Sequence, residues 1–292
     1  MTFDDARSLL MQIFDDLDVR TGDTIHLSTD MGRVPLPKIA APLTREGIRG
    51  REQQWCEFLL ATILERLGPT GTLIVPTATN SYARHGTPYV HEESPAETGP
   101  FCEFVRTRPQ TVRSLHPLIS LSGIGPAAPA ILNDVGKNAF GSNSPYARFG
   151  AHGVKFVFLG TGVQALTYGY HLQQLYGVNH MYTKLFNTPV FRGGQEVPGP
   201  WLCSLRYLGP GIQSDFVPLE KRLRSEGCLR ESALTGQPMQ AATVADIDRI
   251  GYRMLEENPW SFITEPVEIH VAAPGSVPQS ASRRAAYLVW SE

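Results

Sequence analysis

The stretch "VKFVFLGTG" at residues 154–162 decides the layout of this chain. Side chains alternate across a β-strand, and here both alternating sets are apolar, so the strand needs cover on both sides. That reading predicts a central strand with helices above and below it. Working outward, "TIHLST" (24–29) and "TGTLIVPTAT" (70–79) are further short runs with strand character. Between and before them lie helix-period patterns. Residues 3–18 place Leu10, Ile13, Phe14 and Leu17 on one stripe, and residues 51–68 place Trp55, Leu59, Ile63 and Leu67 on another, ending at Gly68-Pro69. The order helix, strand, helix, strand predicts an α/β fold: a mixed central sheet covered by helices.

Asn80 to Thr98 is polar and rich in His, Gly, Pro and Glu, and is expected to be a long loop over a site. "GPFCEFVRTRP" (99–109) and "APAILND" (128–134) are expected as helices, with a strand after the "TVRSLHP" turn. Beyond Phe186 the chain should form a hairpin or meander, then two helices within 216–257 and two short terminal strands in "VEIHVAA" and "AAYLVWS". With prolines dispersed and no internal repeat, 1–292 is expected to be a single domain, with a core over 1–190 and a C-terminal extension, 191–292, packed on it.

Composition narrows the function classes. At 42% hydrophobic and 18% charged residues over 292, the chain is long and apolar enough for a large core. A net charge of -2 argues against a nucleic-acid binder and suits a small polar or cationic substrate. No apolar run is long enough to span a bilayer and the acidic start does not resemble a signal peptide, so a cytoplasmic protein off the membrane is expected. The four cysteines form no CxxC pair and are expected to be reduced and packed. Phosphate-loop, dinucleotide, HExxH and GxSxG motifs are absent, and the histidines lack metal-binding spacing, so no metal is expected.

A set of segments in fixed order is more specific. "GDTIHLSTDMGRV" (22–34), "LGPTGTLIVPTAT" (67–79), "ESPAETGPFCEFVRTRPQTVRSLHPLISLSGIGP" (93–126), "FGSNSPYARF" (140–149) and "VKFVFLGTGVQALTYGYHLQQLYGV" (154–178) together resemble the aminoglycoside 3-N-acetyltransferase family. The resemblance covers about residues 5 to 190. It implies transfer of an acetyl group from acetyl-coenzyme A to an amine of an amino sugar, on a fold unrelated to the GNAT acetyltransferases. The GNAT pyrophosphate loop is indeed missing, since "RSEGCL" at Arg224 ends in Leu229.

Such a reaction needs a base for the amine proton, donors for the thioester oxygen and a cradle for the coenzyme. "HLSTDMGRV" offers Ser28, Thr29 and Gly32, with Arg33 and Val34 completing the segment. Arg113 and Ser114 of "VRSLHP" supply a charge and a hydroxyl that the resemblance directs to the same coenzyme. His171 matches the family's catalytic histidine. Thr167 lies four residues before it where the family pattern has three, and Gln174 stands where the pattern has a glutamate. Three readings follow: an imidazole oriented by the Gln174 amide, an acid arriving from Glu97 or Asp134, or a structural histidine. Thr77, at a strand end, is either an oxyanion donor or a turn cap, and Tyr168 and Tyr176 are candidate substrate-contacting rings. Carboxylates after residue 100 form no cluster. The segment "YGVNHMYTKLFNTPVFRGG" (176–194) resembles relatives that modify amino sugars or other small amines in biosynthetic pathways, so the resemblance favours a biosynthetic N-acyltransferase over antibiotic inactivation. Rivals are donation from an acyl carrier protein, a hydrolase, and a non-catalytic binder; a homodimer is admissible on base rates.

Overall fold

The computed structural model describes residues 1–207 and 212–266, and the backbone of strands at 268–272 and 285–289. In chain order the helices are α1 (Phe3–Asp16), α2 (Arg45–Leu67), α3 (Asn80–His85), α4 (Pro100–Arg106), α5 (Ala128–Leu132), α6 (Tyr168–Tyr176), α7 (Val217–Ser225) and α8 (Val244–Glu257). The strands are β1 (Thr24–Thr29), β2 (Thr72–Pro76), β3 (Tyr89–Val90), β4 (Val112–Arg113), β5 (Leu121–Ile124), β6 (Lys155–Leu159), β7 (Met181–Phe186), β8 (Val190–Arg192), β9 (Gln195–Glu196), β10 (Trp201–Arg206), β11 (Arg230–Glu231), β12 (Met239–Thr243), β13 (Glu268–Ala272) and β14 (Ala285–Val289).

A seven-stranded sheet in the order β11-β12-β6-β1-β2-β5-β4 forms the centre. The "VKFVFLGTG" strand is β6, interior as its double apolar pattern requires: parallel to β1 on one side, antiparallel to β12 on the other. β1 and β2 are also parallel, and antiparallel strands close both flanks, so the sheet is mixed. Along β6 the alternation divides cleanly: Val157 and Leu159 join the core under α1, α2 and α4, while Phe156 and Phe158 join the core under α5 to α8. Fully burying each such side chain contributes about 1.5–3 kcal/mol.

Helix starts follow local chemistry. Thr2 and Asp5 exchange side-chain and backbone hydrogen bonds at the head of α1, a capping box. α2 begins at Thr44, whose hydroxyl accepts the Gly47 N–H, earlier than the apolar periodicity indicated. The stretch 80–98, expected as loop, contains α3 and β3, and 181–186, where no strand was expected, is β7 paired with β10. Between the two expected C-terminal helices lie β11 and β12, so chain beyond residue 190 hydrogen-bonds directly into the central sheet. Among the described residues no helix is long and apolar enough to cross a membrane.

Candidate functional site

Two hollows open at the C-terminal ends of the parallel strands, the usual place for ligands in open α/β sheets. The smaller, about 380 Å³, is walled by Thr29 to Gly32 after β1 and by Thr98 to Cys102 leading into α4. The larger, about 610 Å³, runs from the end of β2 across α3, the β5 approach, the start of α6 and the β7–β10 hairpin. Thr98 lines both, so the hollows adjoin, and its hydroxyl donates to the Pro76 carbonyl at 2.5 Å.

In the smaller hollow, Asp30 Oδ1 accepts the Gly32 N–H at 3.0 Å and holds a tight turn. A side chain at Gly32 would begin 3.3 Å from that carboxylate, a tight approach within the turn that glycine avoids. Thr29 Oγ1 is buried there without a hydrogen-bond partner. An orphaned buried hydroxyl facing a hollow is what a bound polar ligand would satisfy. Ser28 is buried beside it on β1, Val34 is buried in the apolar core, and Arg33 sits outside, ion-paired to Asp30 at 3.4 Å.

Around the larger hollow, Thr167, Tyr170, Phe140, Tyr146, Ser120 and Ser204 form the inner wall. His171 lies directly behind it, 3% exposed, its ring between Tyr146 and Tyr168 with centroids 6.3 and 5.1 Å away. Its Nδ1 donates to the Phe140 carbonyl at 2.7 Å. A carbonyl only accepts, so the proton sits on Nδ1 and Nε2 keeps the lone pair. Burial holds the imidazole below its ordinary pKa and outweighs the Phe140 contact that raises it, so the ring is neutral near pH 7. α6 comes close to its neighbour: a side chain on Gly169 would begin 2.2 Å from the Phe216 ring.

The orienting group is therefore neither Gln174 nor a distant acid. Gln174 Oε1 accepts the Ser204 hydroxyl at 2.6 Å. Glu97 accepts the Ser81 N–H at 3.1 Å, capping α3, and exposed Asp134 takes a left-handed φ of 51° and accepts Arg148 through its carbonyl.

Other expected site residues are framework. Arg113 was expected at the coenzyme phosphates, but it is 7% exposed and its guanidinium donates to the carbonyls of His91, Ser94 and Thr77 and to the hydroxyls of Ser120 and Thr79. Every arm of the fork is engaged, which leaves none for a phosphate. Ser114, expected beside it, is fully buried and exchanges hydrogen bonds with the Leu121 backbone, locking β4 to β5. Thr77, expected at the thioester oxygen, is fully buried, its hydroxyl 3.1 Å from those of Ser120 and Ser122. Tyr168, expected against substrate, is buried and donates to Asp248 at 2.7 Å, and Tyr176 stands exposed at the far end of α6. Thr98, Tyr170, Lys184 and Arg206 went unnoticed in the sequence; Tyr170 was the findable one, three residues after Thr167 on the same helical face.

The sequence profile described as Aminoglycoside 3-N-acetyltransferase matches residues 48–256. The chain belongs to that family. Its members are acetyl-coenzyme A-dependent N-acetyltransferases. Aminoglycoside N(3)-acetyltransferase VIII of Streptomyces fradiae is 24% identical over 269 residues, spanning 86% of this chain and 92% of that one. Aminoglycoside N(3)-acetyltransferase IX of Micromonospora chalcea is 23% identical over 211 residues, spanning 66% and 70%. Among solved structures, aminoglycoside acetyltransferase AAC(3)-Xa superposes with a TM-score of 0.71 at 23% identity, covering 88% of this chain and 93% of that one. AAC-IIIb, solved with CoASH, superposes at 0.69 with 20% identity, covering 88% and 97%.

Proposed function

We propose that this family member acetylates an amine of a small acceptor held in the larger hollow, with acetyl-coenzyme A entering through the smaller one and His171 serving as general base. The observation that carries this reading is the pair of hollows meeting at Thr98, backed by an imidazole whose tautomer is fixed. The cosubstrate supplies the acetyl group as a thioester: the acceptor nitrogen forms the new C–N bond, the C–S bond breaks, and the thiolate leaves and takes up a proton. Thr29, Gly32 and the surrounding turn hold the donor, the Thr29 hydroxyl gaining the partner it lacks. Tyr170 and Phe140, stacked with centroids 5.6 Å apart, wall the acceptor off from water. His171 Nε2 takes the amine proton, and the Phe140 carbonyl steadies the imidazolium that results. A neutral carbonyl does this less strongly than a carboxylate, so the base is a weak one.

The relatives are named for aminoglycosides, which lie within this acceptor class; acceptors from biosynthetic routes lie within it equally. The test is thiol release from acetyl-coenzyme A against amino sugars, aminoglycosides and a no-acceptor control, with His171→Ala as blank. Release that requires both an amine and His171 supports the proposal. Release without amine makes the protein a hydrolase, and tight coenzyme binding without release points to a carrier-protein donor or a binder. The acid limb of kcat/KM should fall below pH 6.5, because burial lowers the His171 pKa and the free base persists to lower pH than in an exposed histidine.

A further inference from the structure

The larger hollow carries charge of one sign. Arg84 on α3, Lys184 on β7 and Arg206 on β10 line it, and among the described residues no aspartate or glutamate does. Several arginines elsewhere on the surface are paired with carboxylates: Arg7 with Glu65, Arg66 with Asp15, Arg224 with Glu220 and Glu231, Arg249 with Glu226 and Asp246. Arg84, Lys184 and Arg206 have no such partner among the described residues. Arg206 donates from one arm to the Ile212 carbonyl, and the Lys184 ammonium sits 5.2 Å from the Phe186 ring centre, both without a counter-charge. Glu97, beside Thr98 in the chain, is turned to the Ser81 N–H.

Resting on the acetyl-transfer reading above, we infer that the acceptor is an amine bearing an oxyanionic group (phosphate, phosphonate or carboxylate), and not a polycation. A polycationic acceptor meets three like charges and, among the described residues, no lining carboxylate to receive its ammonium groups. An anionic group gains paired cations as it leaves water.

The experiment compares initial rates with acetyl-coenzyme A for matched amines: glucosamine against glucosamine 6-phosphate, ethylamine against 2-aminoethylphosphonate, and kanamycin as polycation. Each is repeated with the exposed-site double variant Arg84→Glu/Lys184→Glu. Expected is at least a ten-fold preference in kcat/KM for an anion-bearing member over its partner, shrinking with added salt. The double variant should remove that preference by raising acceptor KM while coenzyme A Kd stays within two-fold. A preference for kanamycin or for the amines without an anionic group overturns the inference. So does a charge reversal that raises coenzyme A Kd in step with acceptor KM, because the cations would then serve the coenzyme's own phosphates. If no amine is acetylated, that counts against the acetyl-transfer reading alone. Calorimetry of the same pairs on coenzyme A-saturated protein then decides: tighter binding of the anionic member supports the inference, equal or weaker binding overturns it.

Discussion

The two faces of the central sheet are built from different chemistry. Under α1, α2 and α4 the core is mainly aliphatic, with Leu10, Ile13, Leu59, Ile63, Leu73, Val75, Val157 and Leu159 filling the space between helix and strand. Under α5 to α8 it is a nest of rings: Tyr146, Phe149, Phe156 and Tyr168 surround one another at centroid distances of 5.1 to 6.0 Å. The buried histidines His26, His116 and His171 all contact that second core. A face that only has to hold the sheet can be made of interchangeable hydrocarbons. A face that also backs a reaction needs flat, stiff rings and polar atoms whose partners are fixed, and this one borders the larger hollow through Phe140 and Tyr146.

The comparison can be broken most decisively at His171. His171→Ala should lower kcat/KM by about 10²–10⁴ with coenzyme A binding unchanged within a few-fold; a loss shared equally with coenzyme affinity would make the residue structural. Next, Phe156→Ala and Leu73→Ala remove one buried side chain from each face, at about 3–5 and 2–5 kcal/mol respectively. Assayed well below either melting point, only the Phe156 variant should also lose turnover, and equal losses of kcat would erase the distinction between the faces. Arg113→Lys keeps the charge but not the fork, so denaturant titration should show a loss of about 2 kcal/mol with little change in coenzyme affinity. The reverse pattern would return Arg113 to the phosphates.

A titration sharpens the same contrast. Burial holds His26 and His116 at about 4 in the folded protein, against about 6.5 when unfolded. Between those values the unfolded state binds more protons, so stability should be full above about 6.5 and decline as pH falls towards 4, by about 2 kcal/mol per histidine at pH 5. Urea midpoints at pH 7.5 and 5 measure it; His26→Leu should flatten the slope, and an unchanged slope would place the sensitivity elsewhere. The smallest effect is expected for Gln174→Glu. Because Gln174 meets Ser204 and not His171, the rate should stay within about three-fold, whereas a large increase would show that α6 turns in solution to bring the carboxylate behind the base.

The central sheet was legible because β6 announces itself on both faces, and α1 and α2 were legible through their apolar stripes. β7 was not: its burial runs from half-buried through exposed to buried, and its pairing with β10 crosses residues of no distinctive pattern. For the site, "HLSTDMGRV" runs along the smaller hollow, whereas "VRSLHP" pointed to a ligand where the fold spends Arg113 on backbone carbonyls. A string of residue types shows that a guanidinium is available; how many acceptors the folded backbone brings to it is a long-range fact. The same holds for His171. The sequence framed its partner as a choice among side chains, and the partner is the main-chain oxygen of Phe140, an atom every residue carries and no motif can mark.

Thr98 gives the site a geometric property beyond catalysis. Because one residue borders both hollows, a single molecule that joins a coenzyme-like arm to an amine-like head by a short tether can lie across it and fill both. Once either end is seated, the other is held at a high local concentration beside its own hollow, so the joined compound should bind far more tightly than its halves. A tether a few atoms too long or too short forfeits that gain, which makes a graded tether series a ruler for the separation of the two hollows.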